Sequence, residues 1–203
     1  NQKIHVTYSG ASEAPITFQN YQNEKVVLNG SKVKLEDNGL FTIEDKNYIQ
    51  GKWLEFRNLK STKANETPID IYITGTGNYI DIRNNYIHHI ETNVKDGNAN
   101  GIAVYGTSSH AQNNLNHIVI DDTEVTHFKL RMSEAIVVNE NVDSFEITNN
   151  KVHDNNIGIV LIGHEGVSPV AALNQARNRI VRYNSLFNNT SYNKYSIDGG
   201  KEI

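Results

Sequence analysis

The chain of 203 residues has no cysteine, one methionine and one tryptophan. Without cysteine there is no disulfide framework and no thiolate ligand or nucleophile. No apolar run approaches the roughly 18 residues of a membrane-spanning helix, so no membrane insertion is expected. Charge of one sign is also scarce: the formal net charge is −4 and the pI about 6.1. That balance excludes a general electrostatic grip on nucleic acid or on an anionic membrane. An anionic ligand would need a local basic cluster or a bridging cation. With 37% hydrophobic and 21% charged residues the composition is globular, and the length suits one domain spanning residues 1–203. The chain opens at Asn1 without a signal sequence, which a mature secreted protein would also lack.

What is present is repetition. NYIDIRNNYIHHI from Asn78, NHIVIDDTEVTHF from Asn116, DSFEITNNKVHDN from Asp143 and NRIVRYNSLFNN from Asn178 share one pattern of apolar residues and asparagines. Ile87, Val125, Val152 and Leu186 mark its register at intervals of 38, 27 and 34 residues. Uneven spacing of a fixed motif means short strands joined by loops of variable length, the signature of a solenoid.

Each copy divides into strand a, with the inward column Ile82, Ile120, Ile147 and Val181, and strand b, with Ile87, Val125, Val152 and Leu186. Strand c follows in IDIYITG from Ile69, GIAVYG from Gly101, AIVVNE from Ala135, GIVLIG from Gly158 and YSIDGG from Tyr195. Alternation turns Ile71, Ile73, Ile102, Val104, Ile136, Val138, Ile159 and Leu161 inward. Short β-branched strands bounded by Gly and Asn predict an all-β, right-handed parallel β-helix with three strands per turn. At the bend between a and b stand Asn85, Thr123, Asn150 and Asn184. Rungs stacked about 4.8 Å apart let such amides form a ladder. The copy around Trp53 is read with Leu59 at that bend, so the ladder is expected to begin after it. Earlier strands are expected at His5–Tyr8, Ile16–Asn20 and Val26–Leu28, and Pro169 to Ala176 suits a helix of one or two turns. A solenoid must cover its open ends, so the chain is read as a fragment lacking one or both caps.

Two stretches carry a family resemblance. GASEAPITFQNYQNEKVVLNGS resembles the opening turn of secreted pectate-lyase-like β-helix proteins. SEAIVVNENVDSFEITNNKVHDNNIGIVLIGHEG is similar to a block of bacterial right-handed β-helix repeat proteins. The resemblance implies the polysaccharide lyase superfamily fold, a secreted or cell-surface location, and action on an acidic polysaccharide, often with Ca²⁺. The strand lysine and aspartate cluster of polysaccharide lyase family nine are not matched; Asn139 and Ile162 stand there.

In such folds the groove runs along strand c beside its longest loops. Outward on that strand lie Tyr72, Ala103, Val137 and Val160, then Thr74, Tyr105, Asn139 and Ile162. Loops covering this face, or sugar rings stacking on Tyr72 and Tyr105, would each explain its apolar character. Elimination from a uronic acid needs a base and a positive group to stabilise the enolate. The catalytic candidates are Lys129, Arg131, Glu134, His164 and Glu165. Tyr72, Tyr105, Asn139 and His153 are substrate-binding candidates, and Asp96 and Glu140 candidate ligands for Ca²⁺. His88 and His153 align and read foremost as hydrogen-bonded turn histidines, with cation binding the alternative. Besides elimination, two readings stay open: a glycoside hydrolase using Glu134 and Glu165, and a non-catalytic surface module binding glycan or host protein.

Overall fold

A computed structural model describes residues 3–35, 39–94, 97–110, 112–130 and 133–190. The chain climbs in six rungs. The first is β1 (Ile4–His5), β2 (Ile16–Gln19) and β3 (Val26–Asn29); the second is β4 (Phe41–Glu44), β5 (Ile49–Lys52) and β6 (Leu54–Arg57), followed by β7 (Lys60–Ser61). The third holds β8 (Ile69–Gly75), β9 (Gly77–Arg83), β10 (Tyr86–His88) and the short β11 (Glu91–Thr92). The fourth is β12 (Asn100–Gly106), β13 (Leu115–Asp121) and β14 (Glu124–Thr126), and the fifth β15 (Ile136–Glu140), β16 (Val142–Thr148) and β17 (Lys151–His153). The sixth is β18 (Ile159–Ile162), β19 (Arg177–Arg182) and β20 (Ser185–Phe187).

Corresponding strands pair in parallel into three six-stranded sheets. Sheet c is β1-β4-β8-β12-β15-β18, sheet a is β2-β5-β9-β13-β16-β19, and sheet b is β3-β6-β10-β14-β17-β20. The protein is therefore a parallel β-helix of about five turns with three strands per turn. Its register is the one the repeats predict: Ile82 pairs with Ile120, Ile120 with Ile147 and Ile147 with Val181. Ile87, Val125, Val152 and Leu186 are likewise consecutive neighbours. One apolar core fills the coil, with Phe41, Phe56, Phe145 and, from sheets c, a and b, Ile73, Ile82 and Ile87 fully buried. Burying each such side chain contributes about 1.5–3 kcal/mol, which is what holds the turns closed.

The amide ladder forms at the a–b bend. Thr123 N donates to Asn150 Oδ1 at 3.0 Å and Asn150 N to Asn184 Oδ1 at 2.9 Å, while Asn85 N donates to Thr123 Oγ1 at 3.3 Å. The side-chain amides of Asn85, Asn150 and Asn184 donate back to Gly51, Ile120 and Ile147 carbonyls. Leu59 is not at this bend. Leu54 is, and its N–H donates to Asn85 Oδ1 at 3.0 Å; Leu54 has no side-chain amide, so the ladder of amides starts at Asn85, after that copy, as expected. A second ladder stands where sheet b ends: Phe128 N donates to Asn155 Oδ1 and Asn155 N to Asn189 Oδ1.

Three residues per rung take left-handed backbone angles in register. Tyr48, Tyr79, His117, Ser144 and Asn178 form one such column, with φ between 47° and 56°. Trp53, Asn84, Asp122, Asn149 and Tyr183 form the second, and Asn58, His89, His127, Asp154 and Asn188 the third. Asn, Asp and His tolerate this region best, which accounts for much of the composition of the repeat. The expected helix is a single 3₁₀ turn, Ala171–Leu173. Its loop is pinned by Ser168, whose Oγ donates to the Ser109 carbonyl at 3.2 Å. YSIDGG from Tyr195 lies outside the described residues, as do Asp96 and Arg131.

Candidate functional site

The outer face of sheet c is covered rather than open. Ile69, Tyr72, Ala103 and Val137 make a second, smaller apolar cluster outside the coil, with Tyr105 and Ile162 packed against it. Tyr72 and Tyr105 meet edge to face, with ring centroids 5.8 Å apart. Of the two readings of this face, covering fits the burial, and Tyr72 is buried in the cluster.

Polar groups gather at the rim of this cluster. Asn100 Nδ2 donates to the Glu134 carbonyl at 3.1 Å and reaches Oε2 at 3.5 Å. Asn139 Nδ2 donates to Glu165 Oε2 at 2.7 Å, and Glu165 N donates to Glu140 Oε1 at 2.5 Å. Burial pushes the Glu134 carboxyl above the usual carboxylate range, with the charge of Glu165 adding to the push, against the pull of its hydrogen bonds. Burial first, then the charges of Glu134, the Tyr72 phenol group and Glu165, push the Tyr105 hydroxyl up to about 12. Tyr105 is thus a proton donor at neutral pH and never a base. Stacking draws Tyr72, Tyr105, Glu134, Asn139 and Glu165 to this face from four rungs, the third to the sixth.

Other candidates stand apart. Lys129 adds to the charge around His89, on the sheet b corner. His164 is exposed beside Glu165, its backbone N–H held by the Asn174 carbonyl. His153 lies on sheet b, with Nε2 2.9 Å from Glu124 Oε1 and Nδ1 2.6 Å from Asp154 Oδ2. It ends strand β17, with both ring nitrogens hydrogen-bonded, and lies on a different sheet from the sheet c group. His88 is held the same way between Glu55 and His89.

For calcium, the donor chemistry is partly present. Asn139 Oδ1 and Glu140 Oε2 are buried oxygens without a hydrogen-bond partner. They sit on consecutive residues that both bind Glu165, and hard oxygens are what this cation takes. Among the described residues, no three His, Asp or Glu side chains are grouped as a metal site needs. Asn139, Glu140 and Glu165 are therefore an amide and two carboxylates that fit a hard cation only in part.

Two features escaped sequence reasoning. Asp70, on β8, is fully buried with both carboxyl oxygens unpartnered, and burial raises it well above the usual range. The second is a groove of about 540 Å³ on the outer face of sheet a. Tyr48 stacks on Tyr79 at 4.9 Å and Tyr79 on His117 at 4.5 Å along its side. The signal was available: Tyr79, His117 and Ser144 hold the same position in their repeats.

Comparison with known proteins adds one relative. The chain is 37% identical over 171 residues, 83% of its length, to YwoF, an uncharacterized protein of Bacillus subtilis strain 168. It spans 36% of that protein's length. No known family profile matches the chain, and neither does any solved structure. The class defined by the fold is the parallel β-helix, an architecture that fits carbohydrate-active proteins.

Proposed function

We propose that this β-helix acts on a polysaccharide, with Glu134 and Glu165 as its reacting carboxylates. The observation that carries the proposal is that both carboxylates raise the Tyr105 hydroxyl, Glu134 from a buried setting on Asn100 and Glu165 from an exposed one on Asn139. Glu134, whose carboxyl burial holds above the usual carboxylate range, is the proton donor to a leaving sugar oxygen. Glu165, exposed and oriented by Asn139, is the partner carboxylate. Two carboxyl groups whose surroundings separate their roles are the requirement of glycoside hydrolysis. Tyr105 supplies a hydroxyl donor beside both. Substrate meets the exposed edge at His164 and Glu165 rather than the covered strand faces. A polysaccharide substrate places the protein outside the cell or on its surface.

Elimination from an acidic polysaccharide is the second reading, favoured by the orphaned oxygens of Asn139 and Glu140. With Glu165 these would hold Ca²⁺, whose charge would neutralise a uronate carboxylate. Lys129 stands by His89 and does not serve as its base.

The test is incubation with pectate, alginate, glycosaminoglycans and neutral plant polysaccharides, with and without Ca²⁺. New reducing ends without ultraviolet-absorbing product are expected, and Glu134→Gln should lower the rate by about 10²–10⁴-fold. An unsaturated, absorbing product that requires Ca²⁺ selects elimination. A folded chain inert on every polymer contradicts both reactions.

A further inference from the structure

The sheet a groove lies on a different face of the solenoid from Glu134 and Glu165. Its side wall is the left-handed column Tyr48, Tyr79, His117, Ser144 and Asn178. The first three rings stack on one another, and Tyr79 is 46% exposed. The stack stops at His117. The next two members, Ser144 and Asn178, are short, so the column drops and leaves one face of the His117 ring uncovered by the column. Rungs lie about 4.8 Å apart, close to the thickness of one ring, so the step over Ser144 has the depth of one more ring.

Polar chemistry surrounds the step. The neighbouring column runs Gln50, Asp81, Val119, Glu146 and Ile180. Glu146 is exposed and has no hydrogen bond or ion pair among the described residues. Nδ1 of His117 is 2.6 Å from Asn116 Oδ1; an amide oxygen only accepts, so Nδ1–H donates there and Nε2 is left over. Arg83 is engaged by Asp81 at 2.5 Å and Asp121 at 2.6 Å. The groove thus offers a stacking face, planar carboxylate and amide groups, tyrosine hydroxyls and no uncommitted cation among its described lining residues. A hydroxyl-rich ring without charge matches that set, and a polyuronate would face Glu146 with nothing to balance it.

We propose that this groove is a second saccharide site that binds a neutral sugar chain, one ring stacked on His117 over Ser144 and its hydroxyls held by Glu146 and Asn178. It is independent of the sheet c carboxylates and needs no reaction there.

The experiment titrates the folded chain with cellohexaose, xylohexaose, mannohexaose and a tri-galacturonate, following ring resonances by NMR. At least one neutral hexasaccharide should shift the His117 and Tyr79 signals, and the galacturonate should not. His117→Asn keeps a residue that tolerates the left-handed backbone and should weaken binding by about three- to tenfold, the worth of one ring contact. Ser144→Tyr should abolish binding by adding a fourth ring to the stack; Tyr79 already adopts that backbone, so the variant stays folded, which its thermal melt checks. Glu134→Gln should leave binding unchanged. No shift with any neutral hexasaccharide, stronger binding of the galacturonate, or sensitivity to Glu134→Gln but not to Ser144→Tyr would each overturn the proposal.

Discussion

Asp70 is the residue at which the fold is least satisfied. A carboxyl sealed from water without a partner is cheaper protonated than charged. Its folded pKa therefore lies above the unfolded value, and the folded state holds its proton more tightly. The stability it contributes is fully present below about pH 4, the unfolded value, and is lost as pH rises toward the folded one. Asp70→Asn cannot ionise, so its stability should lack this downward slope and should exceed that of the native chain at pH 7. Urea melts of both chains at pH 4 and pH 7 measure this, and an Asp70→Asn gain no larger at pH 7 than at pH 4 would contradict the assignment. Nothing in IDIYITG distinguishes Asp70 from an exposed strand residue, so burial by loops was invisible in the sequence. The left-handed residues were half legible. Asn84, Asp122 and Asn149 are of types that favour such angles, whereas Tyr48, Trp53 and Tyr79 are not, and the tyrosine column went unseen for that reason.

Strands and bends were far more legible. An apolar residue every second position, repeated at Ile82, Ile120 and Ile147, admits one inward register, because slipping by one residue would expose the column. The bend of the second rung was misread because a single residue, Trp53, separates β5 from β6, and neither it nor Leu54 carries the amide that marks the later bends. The ladder is a property of the bend as an element. Asn150 accepts from Thr123 N and donates to the Ile120 carbonyl and to Asn184 Oδ1 at 3.0 Å each. Asn150→Ala strands a buried N–H and a buried carbonyl and should cost about 2–4 kcal/mol in urea unfolding, against under about 0.5 kcal/mol for Asn113→Ala in an exposed loop. Equal effects would mean that the ladder is decoration. At Gly106 an added Cβ would lie 2.1 Å from the Asn141 carbonyl oxygen, so Gly106→Ala should destabilise by displacing the turn into β16.

The whole molecule behaves as a stack in which each rung is stabilised by its neighbours. Inward residues of the third to fifth rungs are sealed, while Val181 and Leu186 in the sixth are 43% and 49% exposed. Amide exchange should accordingly be slowest in β8, β9, β12 and β13 and fastest in β19 and β20, which deuterium labelling would resolve. Stacking also makes the proposed site: Tyr105, Glu134 and Glu165 are distant in sequence and influence one another only because rungs four to six pile up in register. The sequence named these three residues as candidates, yet it grouped Lys129 and His153 with them, since loop direction at the sheet corners has no repeat to read. The account rests most on the influence of the Glu165 charge on the Glu134 carboxyl. Carbon-13 NMR titration of the Glu134 carboxyl, in the native chain and in Glu165→Gln, tests it. The carboxyl should titrate above the usual range and move downward when the Glu165 charge is removed; an ordinary titration that ignores Glu165→Gln would contradict the shared site.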